Sequence, residues 1–258
     1  MSELDSQYPL ADDERVDEIG FNGLKLIQAP NEFCYGVDAV ILADFASKSA
    51  NQKERLKTAV DLGTGTGIIP LILTHKTELE NLYGVEVQKD SFERACWNAR
   101  MNGLSERVHF IHADIAKPIG ALKSLEGSID LVTCNPPYMT GGAGIINGNE
   151  AKRIARHETT ADLECFVSTA ARLLKPKGHF YMVHRPSRLV DICFYCRKYK
   201  LEPKELRFVS PDKNASANIL LVHCVKHGNP ELKMLDPLYV YEEDHSGYTD
   251  EILTIYER

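Results

Sequence analysis

From about residue 56 onward, short apolar segments alternate with segments of helical periodicity, and this alternation limits the possible folds more than any other feature. Apolar, β-branched strands separated by helices predict a parallel sheet covered by helices on both faces. The predicted strands lie within 58–67, 81–88, 108–115, 128–138 and 179–184, and the predicted helices begin after 67 and span 90–103, 161–178 and 186–201. We therefore expect an α/β protein.

The last two predicted strands, 204–210 and 217–226, have no helix between them. The loop that joins them, 211–216, is too short for a parallel crossover connection. We therefore expect these strands to form an antiparallel hairpin at the edge of the sheet.

Composition places the chain among ordinary globular proteins, with 258 residues of which 43% are apolar and 26% charged. No segment approaches the ~18 consecutive apolar residues that a membrane span requires. The acidic N-terminus lacks the apolar core of a signal peptide, and an odd number of cysteines, seven, fits a reducing compartment. We expect a cytoplasmic protein with no membrane partner, as a monomer or a weak dimer.

Cys193 and Cys196 form a C-x-x-C pair of the kind that binds zinc or exchanges disulfides in other proteins. No second pair and no histidine at ligand spacing accompany it, although a zinc site needs four ligands. The pair also falls on the apolar face of a predicted helix. We expect both cysteines to be structural and the protein to hold no metal.

The net charge of −7 is distributed unevenly along the chain. Residues 1–30 contain seven acids and two bases, and residues 231–258 contain eight acids and two bases. Residues 151–200 contain eleven bases and four acids, a net charge of +7. A basic segment of this kind either binds phosphate groups or forms a solvated surface.

A glycine-rich turn, Gly63 to Gly67, follows the first predicted strand directly after Asp61. Such a turn lets the backbone approach a ligand at the carboxyl edge of the sheet, where open α/β sheets bind ligands. The spacing is G-x-G-x-G and not the dinucleotide pattern G-x-G-x-x-G. A tight turn without a ligand remains the alternative.

Acidic residues stand near the ends of the next two predicted strands. Glu86 is placed to accept hydrogen bonds from ribose hydroxyls, and Asp114 is placed to accept from an adenine amino group. The glycine turn, Glu86 and Asp114 lie at three successive strand ends, and together they predict a nucleoside-containing ligand.

The segment Asn135-Pro136-Pro137-Tyr138 follows the fourth predicted strand. The prolines fix the backbone and remove N–H donors, which leaves the Pro136 carbonyl free to accept. That carbonyl and the Asn135 side-chain carbonyl present two acceptors to one NH₂ group, and Tyr138 offers an aromatic face for stacking. This arrangement suits the alignment of a weakly nucleophilic, conjugated amine with an electrophilic methyl group.

Together, these motifs resemble those of the class I amino-methyltransferases over residues 56–226. The resemblance implies a Rossmann-like seven-stranded sheet of order 3-2-1-4-5-7-6 with an antiparallel last hairpin, and S-adenosylmethionine as methyl donor. Residues 31–46, 153–158, 207–222 and 237–249 further resemble the bacterial tRNA adenine-N6 methyltransferases, which modify the adenosine beside the anticodon of a valine tRNA. This second resemblance implies a tRNA substrate.

The resemblance also implies roles for individual residues and segments. The amine would be held by Asn135, Pro136, Pro137 and Tyr138. The cofactor would be bound by Asp38, Asp61, Gly63, Thr64, Gly65, Gly67, Glu86, Val87, Asp114, Ile115 and Asn135. RNA would be bound by Arg153, Arg156, His157, Lys175, Arg185 and Arg188. Residues 1–55 would form an extension that caps the cofactor site, with a helix over 37–46, residues 56–226 the methyltransferase domain, and residues 227–258 a tail packed on it.

Four other functions remain open from the sequence. A methyltransferase acting on a protein glutamine amide, such as that of a release factor, faces the same amine chemistry, but those enzymes carry a longer helical N-terminal domain. A DNA adenine methyltransferase would usually need a target-recognition domain. A non-catalytic cofactor- or RNA-binding module, or a dinucleotide-dependent oxidoreductase, would not need the Asn135–Tyr138 motif.

Overall fold

The computed structural model describes residues 10–11, 13–29, 36–50, 56–117, 120–137 and 162–258. Its strands are β1 (Arg15–Glu18), β2 (Lys25–Gln28), β3 (Thr58–Leu62), β4 (Asn81–Glu86), β5 (Val108–His112), β6 (Ile129–Cys134), β7 (Leu174–His184), β8 (Leu201–Ser210), β9 (Ile219–Lys226), β10 (Lys233–Met234) and β11 (Leu238–Tyr239). Its helices are α1 (Val37–Ala50), α2 (Ile68–Lys76), α3 (Lys89–Met101), α4 (Ala121–Ser124), α5 (Leu163–Leu173), α6 (Leu189–Lys198) and α7 (Asp250–Tyr256), with a 3-10 turn at Pro186–Arg188.

Within the described residues, the main sheet has nine strands in the order β10-β8-β9-β7-β6-β3-β4-β5, and β11 also pairs with β8. Strands β3 to β7 are parallel, whereas β9 runs antiparallel to both β7 and β8. Counted from β3, the seven long strands follow the order 3-2-1-4-5-7-6. The expected α/β fold with a parallel sheet and an antiparallel last pair is therefore confirmed.

Two buried apolar clusters cover the two faces of the sheet. Helices α1, α2 and α7 contribute to one cluster, which includes Ile41, Leu71 and Ile252. Helices α4, α5 and α6 contribute to the other, which includes Phe166 and Ile192. Successive side chains along the strands enter one cluster and then the other, as expected for a sheet that is covered on both faces.

Helix α1 is present where a helix was expected, and it forms part of the core layer. It packs against α2 and against β7, and the ring of Phe45 meets the edge of Tyr181 with centroids 5.2 Å apart. Val40 and Leu42 are fully buried. Its apolar residues thus complete one face of the sheet, and its proposed role as part of a cap over the cofactor site stays a prediction.

The predicted helix over 161–178 is too long at its C-terminal end. Helix α5 ends at Leu173, and β7 begins at Leu174, which pairs with Ile129 of β6. A Cβ atom on Gly178 would lie 2.9 Å from the Lys175 carbonyl oxygen and 3.2 Å from that of Asp130. The glycine therefore permits a close backbone approach beside an irregular strand pairing, and does not cap the helix.

Short elements at both ends of the chain add to the expected architecture. Strands β1 and β2 form an antiparallel hairpin, and β10 and β11 extend the sheet beside β8 in the parallel direction. Among the described residues, every helix is too short or too polar to traverse a lipid bilayer. The division of the chain into an extension, a central domain and a tail stays a prediction.

Candidate active site

The glycine turn after β3 is fixed by backbone contacts to the neighbouring strand. The N–H groups of Gly63 and Thr64 both donate to the Val85 carbonyl, at 2.9 and 3.0 Å. Gly63, Gly65 and Gly67 have φ angles of 71, 57 and 86°, in the left-handed region that favours glycine. A Cβ atom on Gly65 would have no neighbour within 4 Å, so the turn borders open space.

Glu86, the last residue of β4, is buried and its carboxylate accepts three backbone N–H groups. Gly65 donates to Oε2 at 2.9 Å, and Val87 and Gln88 donate to Oε1 at 2.9 and 2.8 Å. An ionised carboxylate has about four acceptor positions, so capacity remains for a ligand hydroxyl. Glu86 therefore shapes the turn as well as offering an acceptor, which the sequence alone did not indicate.

Asp61 is a buried carboxylate beside this turn. The Thr133 hydroxyl on β6 donates to Oδ1 at 2.7 Å. Among the described residues, Asp61 Oδ2 and the Thr64 hydroxyl have no hydrogen-bond partner, although both are buried. Buried polar atoms without partners are rare in folded proteins, so these two atoms fit a site that receives polar groups of a ligand.

The ionisation of Asp61 is also unusual. Burial raises its pKa to about 7, against the lowering effect of the hydrogen bond from Thr133, and the negative charge of Glu86 adds to the rise. Perturbed carboxylates of this kind are frequent at functional sites. A cationic ligand group placed beside Asp61 would favour its ionised form.

The adenine side of the expected cofactor site lies beyond β4 and β5. Asp114 is half-buried two residues after the end of β5, and its Oδ1 accepts the Ala116 N–H at 2.8 Å. Val87 is 41% exposed, whereas Ile115 is buried. These three residues lie at the same edge as the glycine turn, because β3, β4 and β5 are adjacent and parallel.

Asn135 is brought level with the glycine turn by the register of the sheet. Cys134, the last residue of β6, pairs with Leu62 on one side and with Met182 on the other. The next residues, Asn135 and Gly63, therefore leave adjacent strand ends. Asn135 is half-buried, Pro136 is buried and Pro137 is exposed, whereas Tyr138 lies outside the described residues.

The remaining candidate residues are described by the structure only in part. Asp38 is half-buried in the first turn of α1. Arg185 is exposed directly after β7, and its Nη1 donates to the Asn218 carbonyl at 3.1 Å. The Arg188 Nε donates to Asp191 at 2.7 Å. Arg153, Arg156 and His157 lie outside the described residues.

Lys175 differs from the other described candidate RNA contacts because it lies at the opposite edge of the sheet, so its contact with RNA stays a prediction that this position does not favour. It stands at the start of β7, where it forms an ion pair with Asp130, the second residue of β6. Parallel strands place these two residues at the amino edge, some five residues away from Asn135. The Asp130 carboxylate that pairs with Lys175 is nearly buried, and it also accepts the Lys57 and Thr58 N–H groups.

Two residues that bond to Asp61 and to the glycine turn could not be identified from local motifs. Thr133 lies inside an apolar strand, and Asn98 lies inside α3, yet both bond to the ligand-binding edge. The signal available for Asn98 is that Arg94, Asn98 and Asn102 recur every four residues and so share one helix face.

Comparison with known proteins defines the class of this site. A family model described as a methyltransferase domain matches residues 53–232, so the chain belongs to this methyltransferase family. It is an S-adenosylmethionine-dependent methyltransferase, which confirms the cofactor expected from the motifs. The buried polar atoms and open space at the turn fit that cofactor.

Within the family, the chain is similar to proteins named tRNA1(Val) (adenine(37)-N6)-methyltransferase. One from Porphyromonas gingivalis strain W83 is 28% identical over 248 residues, covering 87% of this chain and 95% of the relative. One from strain ATCC 33277 is 30% identical over 193 residues, covering 74% of each chain. A third, from Parabacteroides distasonis, is 26% identical and covers 85% of this chain and 87% of the relative.

Solved structures share the fold at lower identity. A predicted O-methyltransferase from Agrobacterium tumefaciens superposes with a TM-score of 0.67 at 20% identity, over 85% of this chain and 95% of that chain. Geranyl diphosphate C-methyltransferase from Streptomyces coelicolor, in complex with S-adenosyl-L-homocysteine, gives a TM-score of 0.53 at 14% identity, over 72% of this chain and 75% of that chain. These similarities establish the class I methyltransferase fold.

Proposed function

We propose that this enzyme methylates the exocyclic N6 amine of an adenine in tRNA, and that the target is adenine 37 of a valine tRNA. The observation that carries the proposal is the position of Asn135 and Pro136, which leave β6 level with Gly63 at the cofactor turn. The names of the relatives supply the substrate class and the position.

The cofactor would lie along the carboxyl edge of β3, β4 and β5. Asp61, Thr64 and the glycine backbone would hold its methionine end, with Asp38 close to it. Glu86 would accept a ribose hydroxyl through its remaining acceptor position. Val87, Asp114 and Ile115 would surround the adenine. When bound, S-adenosylmethionine supplies an electrophilic methyl carbon.

The target amine would be held between Asn135 and Pro136. Its two N–H groups would donate to the Asn135 side-chain carbonyl and the Pro136 carbonyl, and Tyr138 would stack on the base. Both acceptors orient the nitrogen lone pair toward the methyl carbon, so the rate comes from alignment and electrostatics. Once methylated, the nitrogen would release one proton to water.

The RNA backbone would be held by basic residues near this edge. Arg185 and Arg188 follow β7, next to the strand that carries Asn135. Arg153, Arg156 and His157 belong to the basic segment and complete the proposed contact set. An adenine in a tRNA loop is also unstacked at lower cost than one in a duplex. The cytoplasmic location and the monomeric or weakly dimeric state stay predictions.

The test is methyl transfer by Asn135→Ala to tRNA that lacks N6-methyladenosine, with labelled methyl donor and nucleoside analysis. We expect the rate to fall by about 100-fold or more, because a positioned hydrogen-bond acceptor is lost. Binding of S-adenosylhomocysteine, followed by calorimetry, should change little. Asn229→Ala, at an exposed position away from the turn, is the matched control.

Each outcome bears on a different part of the proposal. Equal loss of cofactor binding and methyl transfer would assign Asn135 a structural role. Methylation of a release-factor glutamine or of duplex DNA in preference to tRNA would overturn the substrate. Label appearing in a nucleoside other than N6-methyladenosine would overturn the target atom.

A further inference from the structure

Helix α3 carries two asparagines, one turn apart, that both bind strand β2 of the N-terminal hairpin. Asn98 Oδ1 accepts the Ile27 N–H at 2.7 Å. Asn102 Oδ1 accepts the Lys25 N–H at 2.8 Å, and its Nδ2 donates to the Lys25 carbonyl at 2.7 Å. The two side-chain amides thus bond to the β2 backbone as a neighbouring strand would, and they hold the hairpin against α3.

A third contact on the same helix face strengthens this docking. Arg94, one turn before Asn98, donates from Nε to Glu14 Oε1 at 2.5 Å. Only 10% of the Arg94 side chain and 4% of the Glu14 side chain are exposed. A nearly buried, charge-assisted hydrogen bond is stronger than an exposed one, so the segment before β1 is also fixed to α3.

Asn98 differs from Asn102 in where its amide nitrogen is directed. Asn98 is fully buried, and its Nδ2 donates to the Thr66 carbonyl in the glycine turn at 2.9 Å and, at the longer distance of 3.5 Å, to the Ile27 carbonyl. The Asn102 Nδ2 donates instead to the Lys25 carbonyl and to the Asn98 carbonyl of its own helix. One buried side chain therefore joins the hairpin to the cofactor turn, whereas its neighbour joins the hairpin to the helix alone.

The Asn98 bond completes the attachment of four successive turn residues. Gly63 and Thr64 are held by the Val85 carbonyl and Gly65 by Glu86, all from β4. Thr66 is held from the other side, by α3. Losing the Asn98 donor would leave the Thr66 carbonyl without this bond and release the end of the turn that leads into α2.

We propose that Asn98 is a positioning residue that couples docking of the N-terminal hairpin to binding of the methyl donor. It is fully buried and would act through the Thr66 carbonyl. Because coupling between two sites is reciprocal, cofactor binding should also stabilise the docked hairpin. The proposal rests on the cofactor lying at the glycine turn, and is independent of which substrate is methylated.

The matched variants are Asn98→Asp and Asn102→Ala in the full chain. Asn98→Asp keeps an oxygen for the Ile27 N–H but loses the donor to the Thr66 carbonyl and the longer bond to the Ile27 carbonyl. Asn102→Ala removes both bonds to Lys25 and leaves the Thr66 bond in place. Calorimetry with S-adenosylhomocysteine should show a Kd about 10-fold higher for Asn98→Asp, within the usual range of coupling between sites, and a nearly unchanged Kd for Asn102→Ala.

Amide hydrogen exchange supplies a second readout, which a general loss of stability would not reproduce. S-adenosylhomocysteine should slow exchange of the Ile27 amide in the wild-type protein and in Asn102→Ala, but much less in Asn98→Asp. The melting temperatures of the two variants provide the comparison for stability.

Three results would overturn the coupling. The first is an Ile27 amide whose exchange in the wild-type protein does not respond to S-adenosylhomocysteine, a result that needs no variant to fold. The second is a Kd for Asn98→Asp equal to that of the wild type. The third is an equal rise in Kd for both variants, which would mean that hairpin docking in general, and not Asn98, supports the turn.

Discussion

The Thr133 hydroxyl donates a hydrogen bond to Asp61 Oδ1 at 2.7 Å, between two residues that are direct partners on adjacent strands. Asp61 precedes the cofactor turn and Thr133 precedes Asn135 by two positions. The bond therefore joins β3, which leads into the glycine turn, to β6, which leads to Asn135. The second oxygen of this carboxylate, Oδ2, is buried and has no hydrogen-bond partner among the described residues.

The first prediction concerns stability against pH. Burial raises the pKa of Asp61 from 3.8 to about 7 in the folded protein, so the folded state binds this proton more tightly than the unfolded chain. The resulting stabilisation is complete below pH 4 and is lost as the pH rises through 7. Without cofactor, Asp61→Asn should remove this loss, which is on the order of 4 kcal/mol at most.

Urea unfolding at pH 5 and pH 8 measures this difference. We expect the change in the free energy of unfolding from pH 5 to pH 8 to be more negative for the wild type than for Asp61→Asn. This range lies above the titration of Asp130, whose pKa is lowered, but burial lowers the pKa of His179 and of His184 to about 4, and their effect within the range has the opposite sign. Both histidines are common to the two proteins, so the difference between the proteins isolates Asp61. Parallel slopes for the two proteins would contradict the raised pKa of Asp61.

The second prediction concerns the donor to this carboxylate. Thr133→Val removes the hydroxyl at nearly constant shape, and a hydrogen bond to a charged group contributes about 1.5–3 kcal/mol. We expect the loss in the free energy of unfolding to be larger at pH 8, where Asp61 is ionised, than at pH 5. Thr133→Ser keeps the donor and should be close to the wild type at both values. Equal losses for Thr133→Val at the two pH values would exclude a charge-assisted bond.

The third prediction compares two glycines that share a left-handed backbone. Gly67 and Gly103 have φ angles of 86 and 68°. A Cβ atom on Gly67 would lie 2.5 Å from the Phe110 ring, whereas one on Gly103 would have no neighbour within 4 Å. Gly103→Ala should lower the free energy of unfolding by about 1–2 kcal/mol, the cost of the backbone alone.

For Gly67→Ala we expect a loss that exceeds this value by about 1–3 kcal/mol, because the methyl group overpacks a buried site. The same variant should weaken S-adenosylhomocysteine binding, since Gly67 closes the turn with an N–H bond to the Thr64 carbonyl. Equal losses for the two alanine variants would show that Phe110 moves aside without cost.

The fourth prediction separates two basic residues that the sequence placed in one set. Arg185 is exposed at the carboxyl edge, whereas Lys175 pairs with Asp130 at the amino edge. In tRNA titrations at several salt concentrations, Arg185→Ala should weaken binding and reduce the slope of log K against log salt by about 1. Lys175→Met should leave affinity and slope unchanged, and a comparable effect of both variants would refute the separation.

The parts of the fold that follow from local patterns were predictable from sequence. Apolar runs such as 129–134 and the glycine turn after Asp61 carry their own signals, and the short loop after β8 enforces an antiparallel return. The segment 174–178 was assigned to a helix because its proline and glycine resemble helix stop signals. Its actual conformation is set by β6, a strand some forty residues earlier in the chain.

The remaining features depend on partners that are distant in sequence. Strand β2 has four residues and little sequence pattern of its own. It is held by Asn98 and Asn102, which lie 71 and 77 positions after the β2 residues that they contact. The position of Lys175 likewise depends on the direction of β7 relative to β6, which places its side chain at the edge away from the site. The sequence shows that residue 175 is a basic side chain, but only the sheet topology decides at which edge of the sheet this charge lies.

The reversal of β9 has a consequence for how this enzyme can diversify. Because β9 runs against its neighbours, the loop between β8 and β9 opens at the same edge as Asn135, and the tail after β11 follows β8 to that edge. Insertions in this one hairpin or in the tail would reshape the entrance for the acceptor molecule. The glycine turn after β3 and the turn after β4, which we propose to hold the methyl donor, lie on the other half of the sheet and would be left unchanged.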